Sequence, residues 1–138
     1  MMNWLKNMLG KNRSPPVESR TSLRREAGNL FVMRTTGVIS KSTVDQVQAV
    51  AARDIDQGAE NLKVLVLLDN FLGWKKGDDW GDLNFYAMYE KNISRIAVVG
   101  DPKWETDFML FLASGYRTGE VKFFSLDQEA DARAWLQA

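Results

Sequence analysis

The sequence predicts an α/β domain on a mixed, mostly parallel sheet of about five strands, with a leading antiparallel hairpin. Three observations carry this. Strand-like and helix-like segments follow the order β, β, α, β, α, β, α, β, α, which calls for parallel strands joined by right-handed crossovers. Leu62–Asp69 holds five consecutive apolar residues and Arg95–Gly100 (Arg-Ile-Ala-Val-Val-Gly) a similar run, the pattern of central strands buried on both faces. The first two strands are separated only by Ala27-Gly28-Asn29, a turn short enough to make them a hairpin.

The elements follow in order. Thr21–Glu26 is a weak strand, and Leu30–Ile39 a stronger one, rich in β-branched and aromatic residues. Ser42-Thr43-Val44-Asp45 reads as a helix start with an acidic residue three after the Ser. Val44, Val47, Ala51 and Ile55 give that helix its apolar stripe, and Gly58 ends it. After the Leu62–Asp69 strand, Phe71–Gly77 reads as a loop of Gly, Trp and Lys, and Asp79–Lys91 as a helix. Asp101-Pro102 opens the next helix, with Asp as N-cap and Pro at the first position. Glu120–Ser125 is a strand, and Asp127–Gln137 a closing helix held by Ala130, Ala134, Trp135 and Leu136.

The 138 residues make one domain, expected over 18–138, behind a leader and Pro linker over 1–17. Charge is balanced at 18 basic and 18 acidic residues, which argues against a nucleic-acid partner. The balance is uneven along the chain. Residues 1–28 carry six basic and two acidic side chains, leaving 12 basic and 16 acidic for the rest. Within the leader, Trp4, Leu5, Met8 and Leu9 fall on one helical face, so these four are the candidate membrane-surface residues. Eleven helical residues reach only about 16 Å against a bilayer core of about 30 Å, so the expected location is cytoplasmic with peripheral contact to an anionic membrane. A solvated tail is the equal alternative.

There is no Cys and no His. That removes thiolate nucleophiles, imidazole bases and the commonest metal ligands, so neither an enzyme, a metal nor a cofactor is expected. Asp79, Asp82, Asp101 and Asp127 read as helix caps and first-turn acids rather than metal ligands. No phosphate-cradling glycine motif follows any strand.

Aromatic residues are the most informative class. On the expected helix Asp79–Lys91, Trp80, Leu83, Ala87 and Met88 fit one stripe, leaving Phe85, Tyr86 and Tyr89 over. Surplus apolar surface is either core or a ligand or partner site. The candidate ligand-binding residues are therefore Trp74 and Trp80 at an entrance, Phe85 and Tyr89 on a wall, and Lys75 or Lys76 at a head group. The expected partner is an apolar or amphipathic small molecule. The alternative is a protein-interaction surface, including a homodimer.

The motifs Asp69-Asn70-Phe71-Leu72-Gly73-Trp74, Trp80-Gly81-Asp82-Leu83, Arg95-Ile96-Ala97-Val98-Val99-Gly100-Asp101-Pro102-Lys103-Trp104, Val121–Phe124 and Ala132-Arg133-Ala134-Trp135-Leu136 resemble the SpoIIAA-like family over roughly residues 20–138. That family belongs with the STAS domains and is often labelled STAS/SEC14-like. The resemblance implies helices packed mainly on one side of the sheet, kinship with the CRAL-TRIO lipid-binding fold and no established enzymatic activity. Anti-anti-sigma STAS regulators carry a phosphorylatable Ser in an Asp-Ser-Ser-Gly-like turn after the third strand. Here Asp69–Gly73 contains no hydroxyl, which puts a phospho-switch at this turn in doubt.

Overall fold

The computed structural model describes residues 20–138. β1 (Arg20–Glu26) and β2 (Leu30–Ile39) form the hairpin. Its turn places Gly28 and Asn29 at φ of +80° and +57°, the left-handed region that these two residue types enter at least cost. β3 (Leu62–Trp74), β4 (Ile93–Gly100) and β5 (Glu120–Ser125) complete a sheet of order β1-β2-β3-β4-β5. The β1–β2 pair is antiparallel and the other three pairs are parallel.

Alternation along the central strands splits the apolar residues between two faces. Phe31, Val66, Ile96 and Val98 point to one face, covered by α1 (Lys41–Asp56), α2 (Asn84–Tyr89) and α3 (Glu105–Ala113). Val32, Leu65, Ala97 and Val99 point to the other, covered by α4 (Glu129–Gln137) alone. Arg95 fastens α4 from below. Its guanidinium lies 4.9 Å from the centre of the Trp135 ring and donates to the Trp135 carbonyl in the last turn of the helix, which also accepts from the Ala138 amide.

Several elements depart from the sequence expectation, each for a local reason. Ser40, not Ser42, caps α1, its side chain accepting from the Thr43 amide. The stripe on α4 is Ala132 and Leu136 beside Trp135, whereas Ala130 and Ala134 face solvent. The expected loop Phe71–Gly77 is strand as far as Trp74. β2 and β3 keep pairing through register shifts around Gly37, at φ +76°, opposite a stretch with Asn70 at +54° and Gly73 at +108°. Such bulges re-aim side chains. Here Phe71 and Trp74 lie on the three-helix face, in edge contact at 5.1 Å.

The largest departure is the helix expected over Asp79–Lys91. Only Asn84–Tyr89 is α-helical, followed by a 3₁₀ turn at Glu90–Asn92. Upstream, the Asp79 carboxylate accepts from the Gly81 amide and the Asp82 carboxylate from the Asn84 amide. Side-chain turns of this kind compete with helical bonding, and Gly77 and Gly81 weaken the helix further. With Trp80 off the helix, the stripe drawn from it dissolves. Phe85 and Tyr86 pack inward and Tyr89 lies half-buried against Phe85, while Ala87 and Met88 are exposed.

Candidate functional site

Between the three-helix face and its helices lies an apolar cavity of about 100 Å³. Val64, Val66 and Ile96 of the central strands form its floor. The α1 stripe, Val44, Val47 and Ala51, forms one wall, and Phe108, Phe111 and Leu112 of α3 form another. Trp74 closes the end of β3, and Phe85 and Tyr86 of α2 lie across the top. Ala51 is 8% exposed and offers only a methyl group at a position that faces open space.

Two polar groups interrupt this lining, the Gln48 amide and the Tyr86 phenol. Burial pushes the Tyr86 hydroxyl up to about 12, against a smaller opposing pull from Gln48 beside it. Both residues also border a smaller space of about 20 Å³, shared with Lys41, Trp80, Asp82 and Ser114. The two spaces are neighbours, with Val44, Gln48, Tyr86 and Phe111 common to both. An apolar chamber therefore adjoins a polar antechamber large enough for about one water molecule.

The antechamber's cation is tied down. The Lys41 ammonium pairs with Asp45 and with Asp82, the latter at 3.3 Å, and the Lys41 backbone amide donates to Asp78 at 2.8 Å. The Asp45 carboxylate is the main cause holding the Lys41 pKa above its usual value. Asp82 is held below the usual carboxylate range, first by the Asn84 amide and then by Lys41. Of these charged groups, Lys41 and Asp82 border the space, and they offset each other.

The expected ligand-binding residues are placed as follows. Trp74 and Phe85 line the chamber, and Trp80 lines the antechamber. The Trp80 indole donates to the Lys75 carbonyl at 2.9 Å and packs 5.7 Å from the Phe111 ring. Tyr89 lies outside both spaces and donates to the Asp56 carboxylate at 3.1 Å, tying α2 to the end of α1. Lys75 and Lys76 are exposed on the loop after β3 and border neither space. Trp4, Leu5, Met8 and Leu9 lie outside the described residues. Sequence reasoning singled out Tyr86 as surplus aromatic surface without naming it a ligand contact, and passed over Gln48 and Lys41. The available signal was Gln48 itself, a polar residue four positions after Val44 inside an otherwise apolar stripe.

The cover over the chamber is lightly built. α2 has six residues, no capping side chain and no fully buried residue. It seats against Gly115, where an added Cβ would lie 2.5 Å from Tyr86 Cδ2 and 3.1 Å from Leu83 Cδ2. Only a residue without a side chain lets the Tyr86 ring come this close.

A family model, SpoIIAA-like, matches residues 30–137. The chain belongs to the SpoIIAA-like family. No curated protein matches it. Among solved structures, it is similar to an uncharacterised DUF3478-family protein with a SpoIIAA-like fold from Shewanella loihica PV-4. The two share 19% identity over 92% of this chain and 99% of the other, with a TM-score of 0.59. At that identity the likeness shows the fold alone.

In this SpoIIAA-like chain, the segment after the apolar run of β3 is a bulged strand, with Asn70 and Leu72 exposed. Beside it, at the carboxyl ends of β3 and β4, Phe71, Leu72, Trp104 and Leu126 border a cleft of about 150 Å³ together with Asn70, Asp101 and Lys103. The Asp101 carboxylate caps the turn that follows, accepting from the Lys103 amide at 3.0 Å. Among the described residues, no cluster of three or more acidic groups is placed to hold a metal ion, and no helix is long and apolar enough to cross a membrane. Family and fold together support a STAS-type module.

Proposed function

We propose that this protein is a non-enzymatic module that takes the apolar part of a small apolar or amphipathic molecule into the chamber between the sheet and α1, α2 and α3. The observation that carries this reading is the chamber itself: about 100 Å³, and lined, among the described residues, by apolar and aromatic side chains apart from the Gln48 amide and the Tyr86 phenol. Protein interiors are close-packed, and an empty space of this size leaves its lining without contacts. Apolar cavities of roughly 150 Å³ stay dry and accept a molecule as large as benzene. The chamber, partly open as it stands, suits a group somewhat smaller than that, and toluene or a longer chain requires the Lys75–Tyr89 cover to move.

Toluene is the simplest probe, because it has no head group. Titrated into the ¹⁵N-labelled protein, it should shift amides of Val66, Ala51 and Phe108, and the shifts should vanish in Ala51→Leu. Shifts absent from the wild type, or unchanged in the variant, would remove the chamber as the site.

A second reading, an interaction module, draws on a different place. Leu72 and Leu126 are each 57% exposed beside the cleft that Trp104 borders. Large apolar groups around one cleft favour a protein contact, here with a second copy of the chain. Analytical ultracentrifugation of Leu72→Ser/Leu126→Ser tests it: a dimer that becomes a monomer supports the contact, and a monomeric wild type removes it.

A further inference from the structure

We propose, building on the chamber reading, that the ligand is a small neutral amphiphile bearing one hydrogen-bonding group, an alcohol or a phenol, and that the site discriminates against carboxylate and ammonium heads alike. The argument starts from how the polar groups are arranged. The chamber is apolar except where it meets the antechamber, and there Gln48 and Tyr86 belong to both spaces. A ligand whose apolar body fills the chamber therefore places its head beside an amide and a phenol. Between them these offer donors and acceptors, so a hydroxyl can both give and accept a bond.

Neither charge at the mouth is free to receive an ionic head. The Lys41 ammonium is engaged by Asp45 and Asp82. Asp82 is engaged in turn: one of its oxygens accepts from the Asn84 amide and the other from Lys41. A carboxylate head would have to displace Asp45 or Asp82 from Lys41. An ammonium head would have to displace Lys41 from its partners. The exposed lysines that could attract anions, Lys75 and Lys76, border neither space. Size points the same way, since an antechamber of about 20 Å³ holds a hydroxyl or a water but no phosphate group.

The test uses three probes with one apolar body: 1-hexanol, hexanoate and hexylammonium at pH 7, measured by calorimetry on the full chain, with toluene as the control without a head. Hexanol should bind at least about tenfold more tightly than either ion, the scale expected of one like-charge or unpaired-charge contact near a protein surface. In Gln48→Leu, hexanol binding should weaken relative to toluene, because the head group loses its amide partner. In Asp45→Asn/Asp82→Asn, which keeps the acceptor for the Asn84 amide, Lys41 is released and hexanoate should gain about tenfold. Hexanoate or hexylammonium binding as tightly as hexanol in the wild type, or a double variant without the hexanoate gain, would overturn the proposal while toluene binding left the chamber reading intact. Failure of toluene and hexanol together would overturn both.

Discussion

Replacing Ala51 by Leu tests the chamber through the sign of a stability change. Ala51 is almost buried on α1 and faces the cavity. Leu adds three carbons, and burying each is worth about 0.8 kcal/mol, a gross gain of about 2 kcal/mol. Fixing the Leu rotamer costs about 0.5–1 kcal/mol, so the net expectation is a stabilisation of about 1–2 kcal/mol. For a chain of this size, about 4 °C of melting temperature accompanies each kcal/mol, so Tm should rise by about 4–8 °C. In a filled core the same change would overpack, costing about 1–3 kcal/mol and lowering Tm. Differential scanning calorimetry of the two proteins reads the difference directly. A fall in Tm would mean that the space beside Ala51 is already occupied by side chains, and the argument for a ligand chamber would fail with it.

Gly115→Ala should push the Tyr86 ring away from α3 and loosen the cover, costing about 1–3 kcal/mol in urea unfolding; an unchanged midpoint would mean that α2 does not seat against this turn. Burial raises the pKa of Tyr86 and of Tyr116, each to about 12 from an ordinary 10.0. The unfolded chain therefore loses these phenolic protons first, so their stabilising contribution is complete below pH 10 and declines as the pH rises through about 12. Circular dichroism melts across that range should show the decline, and Tyr86→Phe should reduce its slope. Deleting residues 1–16 should diminish co-sedimentation with anionic vesicles, most clearly at low salt, because each basic residue near such a surface adds about 1 kcal/mol; equal pelleting of both proteins would exclude the leader as the attachment. Hydrogen exchange should be fastest, within the domain, over residues 76–89, and toluene should slow it there more than in β3 or β4.

The legible parts of the fold were those written in long, uniform runs. Val64–Leu68 and Ile96–Val99 are short apolar runs rich in β-branched residues, the pattern of a strand covered on both faces, and both faces are covered. The hairpin was legible because Gly28 and Asn29 are the residue types that tolerate the turn's backbone. What could not be read lies between residues 70 and 90. There the sequence gives conflicting instructions. Phe71 and Trp74 favour a strand, Gly73 and Gly77 interrupt it, and Asp79 and Asp82 offer side-chain turns against the helix that Phe85–Tyr89 would otherwise extend. Only the long-range pairing of β2 with β3, Ile39 opposite Trp74, decides where the strand ends. Trp74 and Phe85 could be named from their aromatic character alone. Gln48 showed only as a polar break in the α1 stripe and Lys41 not at all, because their role depends on α1 meeting the segment around α2, with Lys41 and Asp82 41 residues apart.

That conflict bears on how the site would work. A domain with every local preference in agreement would close the chamber permanently. Here the sheet and α1 are held by long ladders and an apolar stripe, whereas the cover is a six-residue helix without a cap side chain, tethered through Tyr89 to Asp56 and through Asp82 to Lys41. Both tethers are solvent-accessible polar contacts, worth at most about 1 kcal/mol each. Opening the cover therefore costs far less than disturbing the sheet, because local openings draw on the weakest cooperative unit. The same Asp82 that restrains the cover also occupies Lys41 at the mouth. Releasing it would loosen the lid and leave Lys41 with Asp45 as its remaining partner, so on this reading the Asp82–Lys41 pair contributes to both entry and head-group choice. Asp82→Asn alone should on this account raise both the exchange rate of the cover and the affinity for hexanoate, and a change in one without the other would separate the two roles.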